Sequence, residues 1–270
     1  MDVGEVALPA VPSTDARTAD LRVWRRVWAL DDRLLIEFVN VAVVEVRDLD
    51  GAVVFDRELA PDMEQHLLLD HILPLVLARR GEIVLHGAVI SLGGRAAVLT
   101  GQTGAGKSTT TAYCWQQGWV VGGDDGAVLR PGAPTTVEPT YSSVRLTADA
   151  VGLLGIQPAS GSQVVGKCRI AGEEDGNFRQ QPVELATVVM LEAVGECQPA
   201  AFTRLRGMDA HVALFSSTFH VDLGQGTTLQ HTIDELARAV ESCAVGRLTV
   251  PRGLAGLAAA ELVLRELVGA

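Results

Sequence analysis

Between residues 101 and 108 the chain reads GQTGAGKS, which fills every position of the pattern GxxxxGK[ST]. The glycines of such a loop let successive backbone N–H groups turn toward one centre, where phosphate oxygens can be held. The arrangement works only where an apolar strand feeds the loop and a helix leaves it. Both flanks are present, because AAVLT (96–100) reads as a buried strand and KSTTTAYCWQQ (107–117) as a helix stopped by Gly118. Gly101, Gln102, Thr103, Gly104, Ala105, Gly106, Lys107, Ser108 and Thr109 are therefore expected to cradle a nucleotide. Lys107 is expected to reach the β and γ phosphates, and the Ser108 hydroxyl to meet Mg2+.

A second metal ligand, a carboxylate, is expected from WVVGGDD (119–125). In a βαβ unit this strand lies beside the loop's own strand, parallel to it. It ends at the carboxyl edge of the sheet, where open α/β folds bind ligands. Side chains alternate along an extended strand, so Asp124 and Asp125 should face different ways, one toward a metal ion and the other toward an incoming nucleophile. A plain turn is the competing reading of Asp-Asp-Gly. Glu192, at the end of the apolar run VVML, is a rival for the metal. His86 lies on the apolar strand EIVLHGAVIS (82–91) and is either a satisfied core residue or a group facing the phosphates.

The rest of the chain divides near residue 80. Residues 1–18 read as a loosely packed lead-in, and residues 21–59 as a small antiparallel sheet with a hairpin turn at Asp50-Gly51. Residues 61–80 read as a helix that Pro61 opens and Gly81 stops, with Arg79 and Arg80 at its negative end. The expected architecture is α/β, with a small β-rich domain at 1–80 and a P-loop domain at 81–270. In the latter, LATVVMLEA and GRLTVPR read as further strands, and HTIDELARAVESC and GLAAAELVLREL as helices.

A net charge of −11 gives no support to binding nucleic acid or an anionic membrane, so any nucleotide must be held locally. Cys114, Cys168, Cys197 and Cys243 have neither zinc nor CxxC spacing and read as reduced, mostly buried thiols. His66, His71, His211, His220 and His231 show no metal spacing and are expected in core or surface roles. The N-terminus lacks a secretory pattern, and HLLLDHILPLVLA (66–78) is too short and too polar to span a bilayer, so a soluble cytoplasmic protein is expected.

The run LHGAVISLGGRAAVLTGQTGAGKSTTTAYCWQQGWVVGGDDGAVL resembles the catalytic core of bacterial HPr kinase/phosphorylase, where the same features follow in the same order. The short β-rich N-terminal part and the ending LTVPRGLAGLAAAELVLREL are closer to the HPr-kinase-like proteins of lasso-peptide and related biosynthesis, which phosphorylate serine on a precursor peptide. SSVRLTADAVGLLG keeps Arg145 but departs from the GLG-containing signature of true HPr kinases, so HPr itself is not the expected acceptor. The resemblance implies ATP and Mg2+ as cofactors, Asp124 as general base, Asp125 and Ser108 as metal ligands, and His86 as a neighbour that orients Asp124. Arg145, Lys167 and Arg169 are candidates for neutralising the transferred phosphoryl group, or else solvated surface cations. A serine-bearing peptide or protein is the expected partner, and a homo-oligomer without a defined number is what the family implies. A nucleotide-dependent regulatory module and a small-molecule kinase are the rival classes.

Overall fold

The computed structural model describes residues 8–17, 23–48, 51–140, 144–157, 163–164, 166–171, 181–221 and 226–269. The chain forms two compact units, one from Met1–Glu82 with Phe219–Thr232, the other from Ile83–Thr218 with Ile233–Ala270. The return of residues 219–232 to the first unit has no counterpart in the sequence reading.

The first unit holds a five-stranded antiparallel sheet of β1 (Thr14–Arg17), β2 (Val23–Ala29), β3 (Arg33–Phe38), β4 (Ala42–Arg47) and β5 (Val53–Phe55), in that order. Alternation sends Leu34, Ile36 and Phe38 of β3 and Ala42, Val44 and Val46 of β4 into one core. Part of the supposed lead-in is a true edge strand. Ser13 donates its N–H to Val27 at 2.7 Å and accepts from the Ala29 N–H through Oγ at 3.0 Å, which tethers the start of β1. Gly51 has the positive φ (67°) of a tight turn; Asp50 lies outside the described residues.

The expected continuous helix is instead α1 (Pro61–Leu67), a π-helical turn (Leu68–Ile72) and α2 (Leu73–Arg79). Pro74 cannot donate to the preceding turn, and the backbone widens there. The widening brings Asp70 inside, 2% exposed, against His66 Nδ1 at 2.6 Å. His71 packs among Trp24, Phe38 and His66, with ring centroids 4.9 to 5.8 Å away.

In the second unit the elements are β6 (Ile83–Leu85), β7 (Ala88–Leu92), β8 (Arg95–Thr100), α3 (Lys107–Gln116), β9 (Val120–Gly123), β10 (Ala127–Arg130) and β11 (Thr136–Glu138). They continue with β12 (Val144–Thr147), α4 (Ala148–Leu154), β13 (Gln163–Val164), β14 (Lys167–Ala171), β15 (Val183–Val194), β16 (Ala201–Arg204) and α5 (Gly207–Ser216). α6 (Gly226–Ser242), which starts in the first unit, β17 (Ala244–Pro251) and α7 (Leu254–Val268) complete the chain.

The main sheet runs β6-β10-β11-β15-β8-β7-β9, and β17 pairs with both β15 and β16. β8, β15 and β17 are mutually parallel. Each strand feeds two cores, as strands covered on both faces must. Ala97 and Leu99 of β8 meet Ala112 and Cys114 of α3 and Leu257, Ala260 and Leu264 of α7. Ala96 and Val98 meet Ala210 and Leu214 of α5 and Leu236 and Ala239 of α6. A separate small sheet, β12-β14-β13, carries Arg145 and Lys167.

Two expectations fail here for identifiable reasons. The apolar run 82–91 is not one strand, because the chain bends at His86-Gly87 and leaves β6, which pairs with β10, for β7, which pairs with β8 and β9. β9 also does not adjoin β8. The β7–β8 hairpin inserts β7 between them, antiparallel to both, because a two-residue turn at Gly93-Gly94 makes pairing with β7 the nearest option for β8.

Gly87 permits this crowding, since a Cβ there would sit 2.7 Å from the Leu99 carbonyl oxygen and 3.0 Å from Thr100 Cγ2. Gly87→Val should therefore destabilise the protein by roughly 2–3 kcal/mol in urea unfolding, because the neighbour that must yield is strand backbone. A variant of wild-type stability would show that the bend relaxes freely. Of the cysteines, Cys114 and Cys243 are buried, Cys168 is half-buried and Cys197 is exposed, so only two of the four fit the expected burial.

Candidate active site

Strand register assembles the site. Ala88, the first residue of β7, lies opposite Leu99 near the end of β8, and Val89 lies opposite Gly123 at the end of β9. β8 and β9 are both antiparallel to β7, so the loop after β8, the bend before β7 and the acids after β9 emerge at one rim of the sheet.

The loop 101–106 joins β8 to α3 with Gly101, Gly104 and Gly106 at φ of 136°, 86° and 92°. Gly101 is additionally confined, because a Cβ would lie 2.9 Å from the Leu191 carbonyl oxygen. Gln102, Thr103 and Gly104 form the exposed crest, Ala105, Ser108 and Thr109 are half-buried, and Lys107 is 8% exposed. Lys107 Nζ donates to the Gly101 carbonyl at 2.6 Å. Burial lowers its pKa, against the pull of Asp125 and Asp124, and Lys167 lowers it further.

The two acids sit in a bend just past β9 rather than on the strand itself. Gly123 makes this approach possible, since a Cβ there would lie 2.4 Å from Thr140 Oγ1. Asp124 is 1% exposed. Its Oδ2 accepts the Arg145 main-chain N–H at 3.4 Å, while its Oδ1 is buried without a hydrogen-bond partner. Burial first, then the charge of Asp125, pushes the Asp124 carboxyl up to about 7; Lys167, the Arg145 N–H and the Ser108 hydroxyl oppose the rise. Asp125 is more open and accepts from Arg145 Nη2 at 3.2 Å. Burial lowers the Arg145 guanidinium to about 10, which still leaves it charged at neutral pH.

His86 reaches the acid pair through the backbone. Its ring Nδ1 lies 3.2 Å from the Asp125 carbonyl, which can only accept, so Nδ1 carries the proton. Its own N–H donates to the Ser217 carbonyl at 2.6 Å, at the end of α5. Lys167, opposite Thr147, is half-buried and near enough for its charge to act on Asp124 and Lys107. The backbone of Arg169 pairs with Arg145, but its side chain lies outside the described residues. Glu192 lies on β15, half-exposed and 3.5 Å from Arg247 Nε, next to Leu191, whose carbonyl confines Gly101.

Sequence reasoning missed Thr140 and Ser217. Thr140 bridges the acid bend by donating Oγ1–H to the Gly126 carbonyl at 2.9 Å and N–H to the Gly122 carbonyl at 2.9 Å. Nothing in the local sequence marks either residue, since both act through strand and helix ends that only the fold brings together.

The donors at this rim are hard oxygens, the Ser108 hydroxyl and two carboxylates, one with an unpartnered oxygen. That set suits a small divalent cation that shares its shell with phosphates. Among the described residues no group of three or more His, Cys, Asp and Glu forms a self-sufficient metal site.

Fold and site thus define a mixed α/β protein with a phosphate-loop sequence and a carboxylate pair at one sheet edge. No family model matches the chain, and no curated protein matches it. Among solved structures, the Hpr(Ser) kinase/phosphatase from Coxiella burnetii is similar to it at a TM-score of 0.37 and 12% identity, over 68% of this chain and 94% of that chain. No helix among the described residues is long and apolar enough to cross a membrane.

Proposed function

We propose that the chain is an ATP- and Mg2+-dependent kinase that transfers the γ-phosphoryl group to a serine hydroxyl of a peptide or protein. The family resemblance favours a ribosomally made natural-product precursor as acceptor. The observation that carries this reading is Asp124 Oδ1, a buried carboxylate oxygen without a partner, beside the loop lysine and a half-buried serine hydroxyl. A fold keeps such an atom bare at a cost, and a general base needs one.

In this reading Oδ1 accepts the proton of the substrate hydroxyl as its oxygen attacks the γ phosphorus. The bond from that phosphorus to the β–γ bridging oxygen breaks, and ADP leaves with the electron pair. The loop N–H groups and Lys107 hold the triphosphate, while Arg145 and Lys167 supply positive charge for the equatorial oxygens. Ser108 and Asp125 would hold Mg2+, which neutralises charge across the β and γ phosphates. His86 fixes the acid bend through the Asp125 carbonyl, and the first unit, with sheet edges at β1 and β5, is the proposed peptide-recognition part.

The test is incubation of the full chain with Mg2+, γ-labelled ATP and serine-bearing precursor peptides, with the phosphate located by mass spectrometry. Phosphoserine is the expected product, and Lys107→Ala should reduce its formation by about a thousandfold. ATP binding without transfer to any peptide would favour a nucleotide-regulated module, and transfer to a metabolite hydroxyl alone would favour a small-molecule kinase. Failure to bind ATP at all would sink all three.

A further inference from the structure

The two acids differ in their engagement. Asp124 keeps one oxygen bare, whereas Asp125 already meets the Arg145 guanidinium at 3.2 Å, with its side chain 16% exposed and that of Arg145 14%. A divalent cation approaching Asp125 therefore meets a carboxylate that is already neutralised. Arginine cannot yield by losing a proton at working pH, so it must move.

Local structure suits such a movement. The main chain of Arg145 is anchored independently of its side chain, through the N–H held by Asp124 Oδ2 and through the pairing of β12 with β14. The register shifts between Val144 and Arg145, an irregularity of the kind that re-aims a side chain beside a site. Lys107 is in a comparable condition, with its ammonium held by the carbonyl of its own loop at 2.6 Å. Both cations thus rest on internal acceptors.

We propose that Arg145 has two positions. In the nucleotide-free protein it occupies Asp125; when a divalent cation takes that carboxylate, the guanidinium passes to the terminal phosphate. Arginine and metal then compete for one ligand, and the free enzyme holds its metal site closed until nucleotide offers the arginine another anion. The second position rests on the kinase reading above; the competition itself does not.

The test is Mn2+ binding to the nucleotide-free full chain, followed by water-proton relaxation, in wild type, Arg145→Gln, Arg145→Lys and Lys167→Gln. Arg145→Gln should tighten Mn2+ binding by about tenfold, as expected for removal of a partly buried competing ion pair. Arg145→Lys, which keeps the charge but loses the planar fork, should fall between it and wild type. Lys167→Gln removes a charge that acts on Asp124 and should change the affinity by less than about threefold. Equal tightening in Arg145→Gln and Lys167→Gln would reveal general repulsion and overturn the proposal, and so would no tightening in either arginine variant. With Mg2+ and ATP, Arg145→Gln should slow transfer by about a hundredfold although its metal site is tighter. Wild type that binds Mn2+ but transfers no phosphate would defeat the kinase reading while leaving the competition measurable.

Discussion

Asp124→Asn will bind ATP with nearly unchanged affinity and transfer phosphate about a thousandfold or more slowly. The amide keeps the shape of the carboxyl and an oxygen for the Arg145 N–H, but it cannot take a proton from a hydroxyl. The wild-type rate should rise with pH through about 7 and level off above it, because only the ionised carboxylate acts as base. The same substitution should stabilise the nucleotide-free fold at pH 8. Between roughly pH 4 and 7 the folded state keeps a proton on Asp124 that the unfolded chain has released, so wild-type stability falls as pH rises across that window. The asparagine variant escapes that loss, which we place at roughly 4 kcal/mol at pH 8, vanishing near pH 4. Urea unfolding at both pH values checks the sign. A variant less stable than wild type at pH 8 would show that Asp124 is ionised and well solvated in the fold, and its role as a buried base would fail.

Trp119→Ala should be the most damaging substitution for stability, at about 4 kcal/mol. The indole is fully buried, and its Nε1 donates to Glu261 Oε1 at 2.7 Å. Glu261, 5% exposed on α7, also meets Arg265 Nε at 2.6 Å, and Arg265 reaches the Gln117 carbonyl. Through Glu261 and Arg265 the Trp119 side chain thus ties α7 to the end of α3 and the start of β9; α3 begins at Lys107 and β9 leads into the bend that holds Asp124. Removing it leaves both a cavity and a buried carboxylate short of one donor. A drop in urea midpoint equivalent to less than about 1.5 kcal/mol would mean that this network is dispensable. Glu261→Gln, which keeps the hydrogen bond and removes the charge, should cost no more than about 2 kcal/mol.

Local chemistry made the phosphate loop legible in the sequence. Gly101, Gly104, Gly106, Lys107 and Ser108 carry their conformation and polarity in residue type, and the flanking strand and helix follow from apolar spacing. β15, β17, α6 and α7 were legible for the same reason. The break at His86-Gly87 was not, because a run of apolar residues looks alike whether it stays in one strand or changes partners midway. Nor was the insertion of β7 between β8 and β9, since strand order is set by which edges meet and not by any single segment. The π-helical turn at 68–72 had a partial signal in Pro74. The burial of Asp70 against His66 had only their i, i+4 spacing as a signal, and that spacing reads as an ordinary helix-surface pair unless the turn is known to widen.

The late return of the chain has a consequence for biosynthesis. Phe219 and Val221 belong to the core beneath the first sheet, and they leave the ribosome only after residues 1–218 have been made. The N-terminal unit, begun first, cannot complete its core until most of the second unit has been made. Its sheet waits with an unfilled gap while residues 83–218 are synthesised, and the second unit in turn waits for Ile233–Ala270, so the two units complete late and interleaved instead of one after the other.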